Sequence, residues 1–501
     1  MKIDFSQPQR QSLVGVVVMF TDTLQGTVRS LWPILLVWIF RIDEANKLYL
    51  GLGTAGVILL LGVIAYLKYY NFTFFLDEEN EEFVIRKGIL NKSRIAIPLD
   101  KIQQVNINQS VIQKLIGVHA LEVDTAGSSK KEVTIKAITH DLATALKERL
   151  LESGKNTDTN SFNEEGTTAK KEYPFIQISL LSLLKTGITS HYARSFALLF
   201  AFVITVYQNI EDYIDATGYE SDPLKEYINP TVLVQFVGFI ILAIIVLTLL
   251  VNLLRTILKY FNYRITQQQN SLLLSYGLLT TRNTIIRPER VQMVTVGRNY
   301  FQKKMDIQDI KIRQASNLDT NNKEQRKQAI EIPGCNEKEK DVLIKFLLEK
   351  MPERGVMLKP SIRKVIVQVV KFLIVPFVIF FLFASVRFTE LYDYAVFLPL
   401  YFLFVATMIY FAYRNSRLFV NSEFIIKQSG AWDIDNDFLA PHKIQAVSLK
   451  QYFWHKKADI GKVTLYTAGG TLTFGLADYT RLKQLVNYWL YQVETTDKNW
   501  M

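Results

Sequence analysis

The phrase KIQQV at residues 101–105 returns as RVQMV at 290–294 and as KIQAV at 443–447. A glycine stands 13 positions before the first residue of each phrase. The three glycines are Gly88, Gly277 and Gly430. A spacing that is kept three times is hard to obtain by chance, so the pattern indicates three copies of one unit.

The alignment of the copies continues downstream without a gap. Residues 109–127 correspond to 298–316 after a shift of 189 positions and to 451–469 after a shift of 342 positions. The first and third copies share Thr-Ala-Gly at 125–127 and 467–469. Because the period is far longer than 50 residues, the repeat indicates repeated domains and not a solenoid.

Six apolar stretches without a charged residue are too numerous for a soluble protein: 31–40, 48–67, 196–207, 231–251, 372–386 and 394–413. About 20 apolar residues span a bilayer, and the shorter stretches reach this length with their flanks. The sequence therefore predicts six transmembrane helices in three pairs, one pair before each repeated domain.

Charge predicts the orientation of these spans. The connector after the third span, residues 207–230, is strongly acidic, whereas most Lys and Arg residues lie on the side of the repeated domains. The positive-inside rule places that side, with both chain ends, in the cytoplasm. A net charge of +11 suits a protein that faces an anionic inner leaflet. Nucleic acid is a poor candidate partner because acidic residues interleave with the basic ones.

Each unit begins with a short amphipathic segment, at 13–20, 176–188 and 362–370. Its apolar residues recur at helical spacing, which favours a helix lying in the membrane interface. The alternative is that each segment extends the following span. Short β-prone runs and one closing helix then follow the spans in each unit.

These patterns divide the chain into seven regions. They are an interfacial helix and transmembrane pair at 1–69, a first domain at 70–152, a disordered linker at 153–172, a second interfacial helix and pair at 173–259, a second domain at 260–352, a third pair at 353–413 and a third domain at 414–495. The linker is predicted from its lack of large apolar residues.

Paired apolar helices before a small β-rich domain, the glycine, the Lys/Arg-Ile/Val-Gln-x-Val phrase and the Thr-Ala-Gly turn resemble the bacterial pleckstrin-homology-like, membrane-flanked domain family. The resemblance covers nearly the whole chain outside the linker. The second copy departs from it with Gln314-Ala315-Ser316 in place of Thr-Ala-Gly. The resemblance implies a membrane protein of α + β class, in which each pair of spans precedes a cytoplasmic PH-like β-barrel of seven strands capped by a C-terminal helix. It implies no catalytic activity.

Motifs for catalysis, cofactors and metals are weak. GLGTAG at 51–56 has dinucleotide-binding spacing but lies inside a predicted membrane helix. The five histidines form no ligand pattern. Cys335 has no histidine near it in the sequence and no counterpart in the other copies. We therefore expect no enzyme activity, no cofactor and no metal site.

The strongest candidate surface for a lipid or a partner protein follows the repeated phrase in copies two and three. Aromatic residues stand there beside lysines: Tyr300, Phe301, Lys303, Lys304, Phe453, Trp454, Lys456 and Lys457. Such residues anchor at a lipid headgroup layer, with rings at the acyl boundary and ammonium groups on phosphates. The alternative is ordinary core packing beside solvated lysines.

Six further positions of the phrase itself are repeated: Lys101, Arg290, Lys443, Gln103, Gln292 and Gln445. The basic residues would pair with a neighbouring acidic residue such as Glu289, and the glutamines would satisfy backbone groups inside the barrel. Positions repeated in this way indicate a role in the fold before they indicate a role in function.

The sequence as a whole predicts a non-enzymatic, multi-pass protein of a bacterial inner membrane, with its PH-like domains acting as a scaffold. Membrane lipids and a protein are the expected partners. The protein partner would be the chain itself or another membrane protein of the same family. Handling of anionic lipid is the first alternative, and transport is the second.

Overall fold

The computed structural model describes residues 5–40, 47–125, 133–152, 175–190, 230–268, 270–315, 329–386, 392 and 395–496. The predicted linker at 153–172 and the apolar stretch at 196–207 lie outside these residues. The chain divides into two compact units, each described by itself. Unit one is Met1–Phe175, Arg264–Gln268 and Leu272–Ile285, and unit two is Ile176–Tyr263, Gln269–Ser271 and Ile286–Met501.

The first repeat contains seven strands and four helices. They are β1 (Gln9–Arg10), α1 (Gly15–Phe40), α2 (Lys47–Tyr70), β2 (Thr73–Asp77), β3 (Glu82–Lys87), β4 (Ser93–Pro98), β5 (Ile102–Asn108), α3 (Val111–Ile116), β6 (His119–Thr125), β7 (Val133–Ile138) and α4 (His140–Glu152). One sheet has the order β1-β2-β3-β4 and another the order β5-β6-β7.

The core of the first domain follows from the two side-chain periods. On β7, Val133, Ile135 and Ala137 are buried at every second position, as expected for a strand with one face inside. On α4, Leu146 and Leu150 are buried four residues apart, on one face of the helix. The helix therefore closes the core between the two sheets, as the sequence predicts.

The second repeat follows the same order. It contains β8 (Ile176–Gln177), α5 (Leu180–Thr189), α6 (Pro230–Tyr260), β9 (Arg264–Gln268), β10 (Ser271–Tyr276), β11 (Arg282–Ile286), β12 (Val291–Arg298), α7 (Tyr300–Lys304), β13 (Gln308–Gln314), β14 (Ile330–Cys335) and α8 (Glu337–Leu348). Asn336 and Glu339 form a capping box that starts α8, which satisfies free N–H groups at the beginning of the helix.

The third repeat contains β15 (Val356–Leu358), α9 (Arg363–Val386), α10 (Leu398–Asn415), β16 (Arg417–Val420), β17 (Ile425–Ser429), β18 (Ile434–Leu439), β19 (Ala446–Lys450), β20 (Ile460–Thr467), β21 (Gly470–Asp478) and α11 (Tyr479–Thr495). A π-helical turn at Val370–Ile374 interrupts α9. Strands β19, β20 and β21 form a sheet of their own, in that order.

The three repeated glycines occupy equivalent turns with a positive φ. Their φ angles are 114°, 116° and 121° at Gly88, Gly277 and Gly430. A Cβ at Gly430 would lie 1.8 Å from the carbonyl oxygen of Asp433, and one at Gly88 would lie 2.0 Å from that of Asn91. Only glycine fits such a turn without strain.

The expected seven-stranded barrel does not close. In the first domain the strands form two separate sheets, because a 3-10 turn at Leu99–Lys101 redirects the chain between β4 and β5. The equivalent turn in the third domain is Pro441–Lys443. In the second repeat the edge of β12 pairs with a strand of the third repeat, so its backbone groups are used between repeats.

This pairing joins two repeats of unit two into one seven-stranded sheet, with the order β14-β13-β12-β18-β17-β16-β15. Five residues of β12 pair antiparallel with β18, from Val294 opposite Phe438 to Arg298 opposite Ile434. Gly297 faces Asp435 closely, since a Cβ at Gly297 would lie 2.3 Å from the Asp435 carboxylate. Six of the eight residues of β12 are buried as a result.

Apolar side chains also cross this junction. Met293 of β12 lies in the core of the third domain with Leu439, Leu465 and Trp489. Leu348, the last residue of α8, packs on the outer face of the sheet β16-β17-β18. The aromatic and aliphatic residues of that face are Phe419, Phe424, Ile426 and Phe438. Lys350 and Glu423 form an ion pair beside them.

The same junction occurs inside unit one, between β5 and β11, in a shorter form. Gln109 and Thr281 exchange two backbone hydrogen bonds, of 3.0 and 2.9 Å. Their counterparts after the repeat shifts are Arg298 and Ile434, which are also paired. The Asn283 amide donates to the carbonyl oxygen of Ile107 at 2.9 Å. Consecutive domains are thus joined twice through equivalent edges.

Four described helices are long and apolar enough to cross a membrane: Leu52–Tyr70, Leu242–Tyr260, Arg363–Val386 and Ala395–Asn415. The stretch 31–40 lies at the end of α1, so the predicted helix at 13–20 begins a longer helix. The segment 362–370 likewise runs into α9. Only α5 is a separate short helix among these three segments, since Ser190 after it is extended.

Candidate functional site

The first aromatic and lysine-rich segment is α7, and its rings are exposed. Tyr300 is 57% exposed, Phe301 is also exposed, and both lysines, Lys303 and Lys304, face outward. The Lys304 ammonium lies 5.3 Å from the centre of the Tyr300 ring. Core packing therefore does not account for these side chains, and their surface combines apolar rings with positive charge.

The second segment is a 3-10 helix, Phe453–Ala458, with the same character. Phe453 is 76% exposed, and the exposed ring of Trp454 stacks on Tyr452 with 5.0 Å between ring centres. The remaining exposed charges are Lys456 and Lys457. With the exposed ring of Tyr452 just before it, the segment presents three exposed rings and two ammonium groups on one short stretch of backbone.

Both segments contact apolar helices. Lys185 of α5 donates to the carbonyl oxygen of Met305, immediately after α7, at 3.1 Å. The guanidinium of Arg363, the first residue of α9, donates to the carbonyl oxygen of Trp454 at 3.5 Å. Since α9 is a candidate membrane span, this contact brings the Trp454 segment near the point where the chain would enter a bilayer.

The counterpart in the first domain, α3, has a different surface. Leu115 is 83% exposed and Val111 is also exposed, but no aromatic ring stands in this helix. Lys114 donates to the carbonyl oxygen of Leu278 at 3.2 Å, within unit one. The lysine that could reach a phosphate is thus already hydrogen-bonded to a neighbouring repeat.

Polar side chains that the sequence reasoning missed attach α7 to α5. Asn299 and Gln302 form a capping box at the start of α7 and are both buried. The Asn299 amide donates to the Thr189 carbonyl oxygen at 2.6 Å, and the Gln302 amide donates to the Ser190 hydroxyl at 2.9 Å. The Asn-x-x-Gln spacing signals the cap, but nothing local in the sequence signals the contact with α5.

A polar cavity of about 160 Å³ lies next to these residues, inside unit two. Its charged lining is Arg298, Asp309, Lys311, Glu331, Asp433 and Asp435. Four carboxylates against two cations give the cavity a negative balance, which disfavours a phosphate. The cavity is therefore a weak candidate for an anionic lipid headgroup.

Two carboxylates in this lining have shifted pKa values. Burial would raise the pKa of Glu331, but hydrogen bonds from Lys259, at 2.8 Å, and from Tyr260 outweigh it and lower that pKa. Burial raises the pKa of Asp435, and nearby Asp437 adds to the rise. Since Lys259 and Tyr260 end α6, Glu331 ties a candidate membrane span to the sheet of the second domain.

The repeated phrase has different surroundings in copies two and three. Lys443 is buried and donates to the backbone carbonyl oxygen of Glu289 at 2.7 Å, so its partner lies in the preceding domain. Gln292 is 2% exposed, and a Cβ on Gly469 would lie 2.7 Å from its Cβ. Gln445 is exposed. Lys101 is exposed, and the Gln103 side chain lies outside the described residues.

Among the residues that the structure describes, no three His, Cys, Asp or Glu side chains cluster as a metal site would require. Burial raises the pKa of the Cys335 thiol well above its usual range, so the thiol is a poor nucleophile. Gly53 and Gly56 of the GLGTAG motif lie within α2. A dinucleotide-binding turn needs a strand before such glycines.

Comparison with known proteins agrees with this organisation. The family described as Bacterial PH domain matches residues 32–154, 226–351 and 370–493. The chain is also similar to the UPF0699 transmembrane protein YdbT of Bacillus subtilis (strain 168). The two are 20% identical over 477 residues, which cover 90% of this chain and 91% of that protein. The predicted resemblance to the bacterial PH-like domain family, with three such domains in one chain, is confirmed.

Proposed function

We propose that this chain, which belongs to the bacterial PH domain family, is a non-enzymatic scaffold held on a membrane by six spans. Its three PH-like domains bind protein partners and perform no reaction. The proposal includes both termini and all three domains on the cytoplasmic side of a bacterial inner membrane, as the loop charges favour.

The junction between the second and third domains is the observation that carries this proposal. Strand β12 pairs with β18 along five residues, and Met293 completes the core of the neighbouring domain. Domains joined through a shared sheet keep a fixed relative position, which a platform for binding requires.

Native mass spectrometry of the protein extracted gently from its own membrane tests the scaffold. We expect a retained protein subunit. A variant with Phe453, Trp454, Lys456 and Lys457 all changed to serine is measured beside it, and it should retain the same subunit. A chain that carries no protein subunit in either form would contradict the scaffold.

A second candidate function, binding of anionic lipid, is favoured by the exposed rings and lysines next to Arg363 at the start of α9. Rings at the acyl boundary and ammonium groups on phosphates would act together there. In this case the serine variant loses retained anionic lipid. A control with Lys462 and Lys483 changed to serine removes the same charge from other exposed positions and should keep the lipid.

A further inference from the structure

The two junctions between consecutive domains use equivalent strands in the same register. Gly297 of β12 pairs with Asp435 of β18. Shifting both residues back by one repeat gives Asn108 of β5 and Arg282 of β11, next to the paired Gln109 and Thr281. Each domain therefore has two edge strands that can form a junction. The β5 or β12 edge of one domain pairs with the β11 or β18 edge of the following domain.

The three domains described here form two junctions. Two edge strands of the kinds that form a junction take part in neither of them: β19 of the third domain and β4 of the first. The sheet β19-β20-β21 ends at β19, the counterpart of β12 and β5. The sheet β1-β2-β3-β4 ends at β4, the counterpart of β18 and β11. Neither edge strand has a further strand partner within the described ranges. An uncovered edge presents N–H and C=O groups that another strand can pair with.

The apolar contact that accompanies the junction is also available. Leu348 is the twelfth residue after the N-cap Asn336 and packs on the next domain. Leu490 is the twelfth residue after the N-cap Asp478 of α11, and it is 43% exposed. Helix α11 thus presents the same apolar position, and Leu490 is exposed there among the residues that the structure describes.

We propose that β19 of one copy of this chain pairs antiparallel with β4 of a second copy, so that copies associate head to tail. The occupant is a second copy because β4 has the fold position and register of the strands that already fill this place twice. The association is heterologous, since the two edges differ and each copy keeps one of each. This inference names a partner for the proposed scaffold and rests on that function.

The register of the existing junction specifies which residues would meet. Gly297 opposite Asp435 becomes Lys450 opposite Ser93, and Val296 opposite Asn436 becomes Leu449 opposite Arg94. No two like charges lie directly opposite in this register, a condition that pairing of strands requires. The Arg94 guanidinium is also 3.8 Å from Asp77 of its own domain.

Disulfide cross-linking in membranes tests the proposal. Two differently tagged full-length chains are co-expressed, one with Lys450→Cys and the other with Ser93→Cys. Paired strand positions lie within the Cα separation that a disulfide needs. We expect a disulfide-linked heterodimer under mild oxidation, whereas neither variant expressed alone should form a dimer. The native Cys335 is fully buried and does not compete.

Two controls make the result decisive. Arg298→Cys with Ile434→Cys in one chain reproduces the internal pair and should close an intramolecular disulfide. Lys483→Cys with Ser93→Cys uses an exposed position on α11 and should give no dimer. A closed internal pair without the heterodimer would overturn the proposal, as would a homodimer of Lys450→Cys alone. Neither result would contradict the proposed scaffold function. Native mass spectrometry tests that function separately, through any retained protein subunit.

Discussion

Strands β12 and β19 begin in the same repeated phrase, yet one lies at the centre of a sheet and the other at an edge. Val294 of β12 is fully buried, whereas its counterpart Val447 is half-buried. Gln292 is buried and its counterpart Gln445 is exposed. The difference comes from the presence of a following domain, so burial of a repeated residue reports its position in the array and not only its type.

The largest effect is expected when a charge enters the covered strand. Val294→Asp places a carboxylate where no water reaches it and should cost about 4 kcal/mol of unfolding free energy. Val447→Asp leaves the carboxylate near an open edge and should cost about 1 kcal/mol. Thermal unfolding in detergent measures both. Equal losses in the two variants would show that β12 gains nothing from its neighbour.

Truncation of Met293 tests which of the two domains its side chain stabilises. Met293→Ala should cost about 2 to 4 kcal/mol, and the loss should appear in hydrogen exchange of β16–β18 and β20, because Met293 lies in the core of the third domain. The counterpart Ala446 is exposed, so Ala446→Met should change stability by no more than about 0.5 kcal/mol. Faster exchange in the second domain alone would argue against the shared core.

A smaller effect is expected for the hydrogen bond across the junction. The Thr295 hydroxyl donates to the Asp437 carboxylate at 2.6 Å, and Thr295→Val should cost about 1 kcal/mol. The equivalent change Ser448→Val lies on the edge strand β19, which pairs only with β20 among the described residues, and it should be nearly neutral. Chemical denaturation of the two variants compares them. A larger loss at Ser448 would reverse the expected order.

The smallest expected effect is on the pH dependence of stability. A carboxyl whose pKa is raised by folding costs stability at neutral pH, and this cost disappears as the pH falls through the folded pKa. Burial raises the pKa of Asp435 at the junction. Asp435→Asn should therefore stabilise the protein at pH 7, and its advantage should shrink on acidification. Melting temperatures of both proteins across the acidic range measure this, and an advantage that grows in acid would contradict it.

The repeats themselves could be predicted from the sequence, because the phrase and its glycine keep their spacing in all three copies. The strands, the closing helices and the turns at Gly88 and Gly430 follow from local pattern. The pairing of β12 with β18 could not be predicted, since Gln292 and Gln445 are the same residue at the same position of the repeated phrase. Contacts between distant residues decide which of the two is covered.

The candidate surface was partly predictable. The rings of Tyr300 and Phe453 stand beside lysines in the sequence, but their exposure depends on the sheets around them. The attachment of α7 to α5 through Gln302 and Ser190 joins residues 112 positions apart. No local pattern predicts this contact, because the sequence does not distinguish a residue that only caps a helix from one that also binds a second helix.

The seven-stranded sheet of unit two also fixes a distance. One edge strand, β14, carries Glu331, which binds Lys259 and Tyr260 at the end of α6. The other edge strand, β15, leads into α9 after four residues. Six strand spacings separate the two edges, or about 29 Å along a flat sheet and less when it twists. Helices in contact lie only about 8 to 10 Å apart, so the width of this sheet exceeds the separation of two packed helices.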